Sequence, residues 1–505
     1  MRGKVIIVGK SKRVYLAVDL GASGGRVLAG IYDGTKLTIR EFHRFSNGPV
    51  QVGDRLHWDL LRLWSHIQEG LLAASVQLSR ESIASVGVDT WGIDFGLLGP
   101  HDELLGNPYC YRDRRTVGVM EEVFKQVGAE EIFRETGLQF MPFNTLFQLF
   151  AWKQSGSTLL AGAESLLLMP DLFHWLMTGE KANEMTNATT TQFYNPRTGR
   201  WACNLLENLG LPTHVLGNIV PPGTNLGRLR KTVAEATGLS DTEVILPGTH
   251  DTASAVMAVP AREGVEQTSW CYISSGTWSL MGIESPQPIV TDLCRELNFT
   301  NEGGVGNTTR ILKNITGLWL VQECRRIWKQ NNKDVSWEEL VSLAQKAEPL
   351  QSFIVPNDDR FVAPDNMPET IRDYCRQTGQ TVPVDQGALV RCVLESLALM
   401  YRRVLGLLEQ LAGKRLDTIH IVGGGTQNRM LCQMTAEACN RHVLAGPVEA
   451  TAIGNIMMQM VASGEVNSIA DARAVIRDSF PVEEYLPADP ATWDEAFGRF
   501  QQLPG

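Results

Sequence analysis

At 505 residues the chain exceeds what one compact core usually encloses, so two large domains are expected. Hydrophobic residues at 43% and charged residues at 20% are ordinary globular values, which exclude disordered and fibrous classes. A formal net charge of -10 argues against a nucleic-acid partner, which needs a concentrated basic face; the short clusters Lys10–Arg13 and Arg112–Arg115 read as solvated faces or local ion pairs.

Along the chain, Val5–Val8 is strand-like but too short for a signal-peptide core. Gly3–Ser11 is no P-loop, because five residues separate Gly3 from Gly9 where about four are needed. Val14–Leu20 reads as a buried strand, Gly21–Gly25 as a tight turn and Arg26–Ile31 as the returning strand. A helix over Leu60–Leu78, opened by Asp59 as N-cap, precedes a strand at Ile83–Val88. This alternation predicts an α/β layer structure. Residues 110–220 are richer in helix signals and in loops such as Thr186–Thr191, and read as an elaboration of the first domain.

Val220–Thr224 is a breaker, and Val244–Leu246 leads as a strand into Pro247–Asp251. A second, weaker hairpin follows, with strands Trp270–Ile273 and Trp278–Ile283 around Ser274–Thr277. Then come a helix over Asp385–Leu411, a strand at Ile419–Val422 ending in Gly423–Gly425, and a tail with Trp493 and Phe497 at helical spacing. The expected division is 1–246, 247–480 and a helical tail 481–505. Nine cysteines without a CxxC pair predict reduced, mostly buried thiols, with Cys432 and Cys439 as packing residues. No stretch approaches a transmembrane span, so a soluble cytoplasmic protein with no membrane partner is expected.

Four motifs could carry chemistry. Asp19–Arg26 offers small residues whose backbone N–H groups can approach a phosphate chain, and an acid able to hold magnesium; a plain hairpin turn is the alternative. His250–Val256 places Asp251 before a run of small residues, either as the carboxylate that receives a hydroxyl proton or as a helix cap. Ser274–Thr277 and Gly423–Asn428 suit phosphates or a nucleotide base, or are turns without ligand. There is no GxSxG, HExxH or dinucleotide fingerprint in proper context, so hydrolase, zinc-peptidase and hydride-transfer classes lack support.

The order of these motifs resembles the carbohydrate kinases of the FGGY family. Val88–Phe95, Tyr111–Arg114, Met141–Thr145, Thr186–Gln192, Thr249–Val256, Ser274–Gly282, Thr300–Gly304 and Leu312–Ile315 are similar to the members that act on L-rhamnulose, and the likeness runs from about residue 14 to 455. The resemblance implies an α/β fold of two actin-like (ribonuclease H-like) ATPase domains with a cleft between them. It implies ATP and Mg2+ as cofactors, a ketose as the other partner, and a sugar 1-phosphate as product.

By the same resemblance, Asp251 is the proton acceptor, and Ala22, Ser23, Gly24, Gly25, Arg26 and Thr277 contact phosphates. Gln322 and Gly424 contact the nucleotide, and Gly92, His250, Asp251, Thr252 and Asn314 the sugar. Asp19 is assigned to the magnesium side. Gly24 departs from the pattern, since those members more often have serine there; backbone donors survive the change and a hydroxyl contact does not. The roles of Trp91, Asp89, Asp94 and Arg112 stay open between sugar contact and loop structure. Rival readings are a kinase for fuculose, ribulose or xylulose, and a non-kinase actin-like ATPase.

Overall fold

The structure, a computed structural model, describes residues 13–78, 83–262, 269–362 and 364–504. The strand-like Val5–Val8, the segment Gly3–Ser11 and most of the Lys10–Arg13 cluster lie outside the described residues. Strand β1 (Arg13–Gly21) is buried on both faces. Val14, Leu16, Val18 and Leu20 join one apolar cluster with Trp58 and Ile67, whereas Tyr15 and Ala17 join another. Side chains alternate along a strand, so Asp19 continues the face of Tyr15 and Ala17, toward the second half of the chain.

β2 (Gly24–Tyr32) pairs antiparallel with β1 down to Gly21 opposite Gly24. The hairpin is therefore tighter than its sequence suggests, with only Ala22 and Ser23 in the turn, because the flanking glycines join the ladder. β3 (Leu37–Ser46) extends the sheet beside β2. Helix α1 (Leu60–Gln77) starts as expected, with the Asp59 side chain accepting from the Arg62 N–H. β4 (Ile83–Thr90) runs parallel to β1 with Asp89 opposite Asp19. With β5 (Asn225–Arg228) and β6 (Glu243–Ile245), the strand order is β5-β6-β4-β1-β2-β3. The helix-rich region at 110–220 builds its own apolar cluster around Phe147, Phe150, Leu166 and Leu206.

The second half repeats this plan. β7 (Trp270–Ser275) and β8 (Trp278–Ser285) form an antiparallel hairpin. β9 (Thr300–Gly303), β10 (Thr309–Thr316), β11 (Thr418–Val422), β12 (His442–Ala445) and β13 (Glu483–Tyr485) complete a sheet in the order β9-β10-β8-β7-β11-β12-β13. In each sheet the hairpin has antiparallel pairing on one side, through β3 in the first sheet and β10 and β9 in the second, and two parallel strands and an antiparallel edge on the other. The resemblance of the two hairpins, slight in sequence, thus extends to whole sheets.

The sheets meet through helices α2 (Asp251–Met257) and α4 (Ala450–Ala462), which pack on each other in one apolar cluster that includes Tyr15, Leu28, Trp270 and Tyr272. Gly454 permits that approach, since a Cβ there would overlap the Ser254 carbonyl. Between them in sequence, α3 (Gln386–Ala412) opens on the Asp385 cap. The tail helix α5 (Pro490–Gln501) buries Trp493 and Phe500 in the second core. The tail also adds β13 to the sheet edge, a strand too short to show in the sequence pattern. All nine cysteines are free, and eight are buried. Among the described residues no helix is long and apolar enough to cross a membrane.

Candidate active site

Three carboxylates converge where parallel strands end. Asp19 and Asp89 stand side by side on β1 and β4, and the Thr90 N–H donates to the Thr249 carbonyl (2.9 Å), aligning the start of α2 with them. Asp251 is the first helical residue and His250 occupies the cap position, so the cap reading of Asp251 does not hold. Instead its Oδ1 accepts from Thr252 N (2.6 Å) and Oγ1 (3.1 Å), and the carboxyl remains partly open to the cleft.

Burial, with Asp19 adding repulsion, raises the Asp251 pKa against the opposing pull of His250 and Thr252. Burial and then Asp19 push Asp89 well above the ordinary range. Asp89 accepts from Asn455 (2.6 Å) through one oxygen, while its other oxygen is buried with no partner among the described residues. Mutually repelling carboxylates with an unpartnered buried oxygen fit an oxygen-ligated divalent cation.

Asp19 and Asp251 face a cavity of about 380 Å³ between the two sheets, with Asp89 buried behind Asp19. From the first half of the chain it is lined by Asp19, Ala22, Ser23, Arg26, Gly92 and, at the join, His250, Asp251 and Thr252. The second half contributes Thr277, Asn314 and Gly424. Gly24 and Gly25 lie instead in an adjoining groove with Arg44 and Phe45. A Cβ on Gly25 would overlap the Phe45 ring, so packing against β3 already requires glycine there. Gln322 is set back from the cavity wall and accepts from Thr277 Oγ1 at 3.2 Å. Gly424 has open space on its Cβ side, whereas Cβ atoms on Gly423 and Gly425 would press on Ser275. Arg26 is ion-paired to Asp19 (2.5 Å) and to Glu449, so its guanidinium fixes the hairpin to α4.

His250 links Asp251 to a buried ion pair between Glu302, inside the Thr300–Gly304 motif, and Arg310, which no motif includes. Arg310, fully buried, lies 3.1 Å from His250 Nδ1 and 3.2 Å from Glu302 Oε2. His250 Nδ1 also stands 3.3 Å from Glu302 Oε2, and its Nε2 3.3 Å from Asp251 Oδ1, so the ring bridges the two carboxylates. Burial alone would raise Glu302; His250 and Arg310 outweigh it and hold the carboxyl below its ordinary value. Glu302 itself lines the cavity.

The open choices near residue 90 resolve differently for each residue. Asp94 is fully buried and accepts from Trp58 Nε1 (2.6 Å), Trp91 Nε1 (3.0 Å), the Tyr111 N–H (3.2 Å) and Gln148 Nε2 (2.8 Å). It anchors the loop and is absent from the cavity wall. Burial, opposed by these donors, brings its pKa up to about 6. Beside it Ile93 adopts φ of 67°, unusual for a β-branched residue, with its N–H and carbonyl held by the Thr190 and Thr145 hydroxyls. The loop thus presents Trp91 and Gly92 to the cavity in a fixed, strained shape. Arg112 stacks on Tyr111 and on Trp319 across the cleft (4.5 Å), and Gln139 accepts from Asn314 Nδ2 (3.0 Å), so both halves close around the cavity.

Two mixed sheets of similar plan, joined by helices, enclose a carboxylate-lined cleft. The family model described as FGGY family of carbohydrate kinases, N-terminal domain, matches residues 14–258, and the C-terminal domain model matches residues 271–463. The chain belongs to the FGGY family of carbohydrate kinases, with two actin-like ATPase domains. It is 44% identical over 490 residues to the protein named Rhamnulokinase of Bacteroides thetaiotaomicron, covering 97% of this chain and 99% of that one. It is 43% identical to Rhamnulokinase of Oceanobacillus iheyensis, covering 93% and 97%. In fold it is similar to the crystal structure of gluconate kinase from Lactobacillus acidophilus, with a TM-score of 0.79, 15% identity and 98% of each chain covered.

Proposed function

We propose that the protein transfers the terminal phosphoryl group of ATP to L-rhamnulose, giving L-rhamnulose 1-phosphate in L-rhamnose breakdown. The observation that carries this reading is the 44% identity, over nearly the whole length, to a relative named rhamnulokinase. In this mechanism Asp251 accepts the proton of the sugar's primary hydroxyl as that oxygen attacks the phosphorus. A raised pKa suits a group that must take up a proton, and His250 Nε2 stands 3.3 Å from its Oδ1.

Gly92, His250, Thr252 and Asn314 bind the sugar. The N–H groups of Ala22 and Ser23 in the turn, with Arg26 and Thr277, take the phosphates, while Gly24 and Gly25, held in the strand ladder beside the adjoining groove, shape the hairpin; Gln322 orients Thr277 and Gly424 leaves room for the nucleotide. Asp19, with Asp89 beside it, would hold magnesium, which when bound neutralises charge on the β- and γ-phosphates. The division into 1–246, 247–480 and the tail 481–505 puts Asp251 close to the join, where movement of the halves would align acceptor and phosphate. Buried free thiols suit a reducing, cytoplasmic setting in which ATP is available.

The test is a coupled ADP-release assay across L-rhamnulose, L-fuculose, L-ribulose, D-xylulose and glycerol. The highest kcat/KM is expected for L-rhamnulose. A higher value for another sugar would remove the substrate assignment and leave the kinase assignment standing.

A further inference from the structure

Away from the cleft, on the outer side of the first sheet, three ligand-type atoms meet at one point. His43 Nε2 and His66 Nδ1 are 3.3 Å apart, His66 Nδ1 and Glu69 Oε2 3.1 Å, and His43 Nε2 and Glu69 Oε2 3.5 Å. We propose that His43, His66 and Glu69 form a binding site for a divalent transition-metal ion, zinc in the first instance. With bonds of about 2.0–2.1 Å, the ligand atoms of a tetrahedral zinc site lie about 3.3 Å apart, which all three separations match.

Protons alone account for this arrangement poorly. Each imidazole nitrogen carries either one proton or one lone pair in the ring plane, and a proton directed at one neighbour cannot also satisfy the other. One cation at the centre satisfies all three lone pairs together. Two imidazoles and one carboxylate select a borderline metal over magnesium or calcium, which favour all-oxygen sets. The side chains are 26% (His43), 23% (His66) and 57% (Glu69) exposed, so an ion and a completing water can enter.

The fold builds the cluster from separate elements. His66 and Glu69 are three residues apart and share one face of α1, and His43 comes from β3. Gly70 lets the helix approach closely enough for them to meet: a Cβ there would overlap Val27 and stand 3.1 Å from the His43 Cβ. Phe45 stacks on the His66 ring at 4.6 Å and 13°, which fixes its orientation. Phe45 is also the ring against which Gly25 packs, so a bound ion ties α1 to β3 directly behind the first hairpin.

The experiment uses the full chain, stripped with a chelator and titrated with Zn2+ alone against a chromophoric competitor. One zinc per chain is expected, with Tm rising on zinc addition. In His43→Ala and His66→Ala this binding and the Tm rise should both be lost, and in Glu69→Gln binding should weaken. Far-UV circular dichroism of the metal-free variants checks that they fold. Should a variant fail to fold, Co2+ on the unmodified chain decides: intense visible absorption of a four-coordinate ion supports the site, and the weak spectrum of a six-coordinate ion overturns it. Undiminished zinc binding in folded His43→Ala and His66→Ala, or no competition with the chelator, would equally overturn it.

Discussion

Replacing Asp251 with Asn should lower kcat by roughly 10²–10⁴ while leaving ATP affinity nearly unchanged. The substitution keeps shape and one acceptor oxygen, so Thr252 retains its bonds and α2 its start. What disappears is the base. Because burial and Asp19 raise the Asp251 pKa, the unmodified enzyme should lose kcat on the acid side at a higher pH than an ordinary carboxylate would impose. That acid limb should be absent from the residual activity of the variant. Steady-state rates across pH, with nucleotide binding measured separately by calorimetry, check both points. A near-normal kcat in Asp251→Asn would reduce Asp251 to a structural residue.

A second large effect is expected at Asp94, on stability and sugar binding together. Asp94→Ala leaves three buried donors, on Trp58, Trp91 and Tyr111, without an acceptor, while Gln148 Nε2 keeps the Phe143 carbonyl at 3.0 Å. Each buried donor left unsatisfied costs about 1–3 kcal/mol, so a loss of about 3 kcal/mol or more is expected. The loss should appear as a lower urea midpoint followed by tryptophan fluorescence, and as a raised KM for sugar once Trp91 and Gly92 lose their anchor. A pH effect of definite sign accompanies it. With a folded pKa of about 6, against about 3.9 unfolded, the folded protein retains a proton that the unfolded chain has released. This group therefore contributes stability that is full below about pH 4 and lost as pH rises through about 6. Asp94→Asn should lack that slope, and unchanged midpoints in Asp94→Ala would contradict the anchoring role.

Local features of this fold were legible in the sequence where local physics decides them. Asp59 caps a helix because a short acceptor at the right position satisfies free N–H groups, whatever the rest of the chain does, whereas Asp385, read as the first helical residue, is itself a cap. The two hairpins were legible from glycines between apolar runs, and Asp19 and Asp251 from their place at the ends of such runs. Asp89 and Asp94 looked alike in sequence. Only the pairing of β4 with β1 separates them, by setting Asp89 beside Asp19 and leaving Asp94 among four donors.

The link from His250 to Arg310 and Glu302 was beyond reach for a related reason. Each lies more than fifty residues from His250, and their meeting depends on the pairing of β9 with β10. For Gly25 the structure adds a packing requirement that the sequence did not disclose, since a Cβ there would overlap Phe45 on a strand twenty residues later.

Coupling of ATP to a sugar in one cleft is measured directly by ADP release from the purified full chain with and without L-rhamnulose. Release should be far slower without sugar than with it, because acceptor and phosphates are brought together only when both substrates are bound. Comparable release in the two conditions would contradict the account and point to an ATPase that does not phosphorylate sugar.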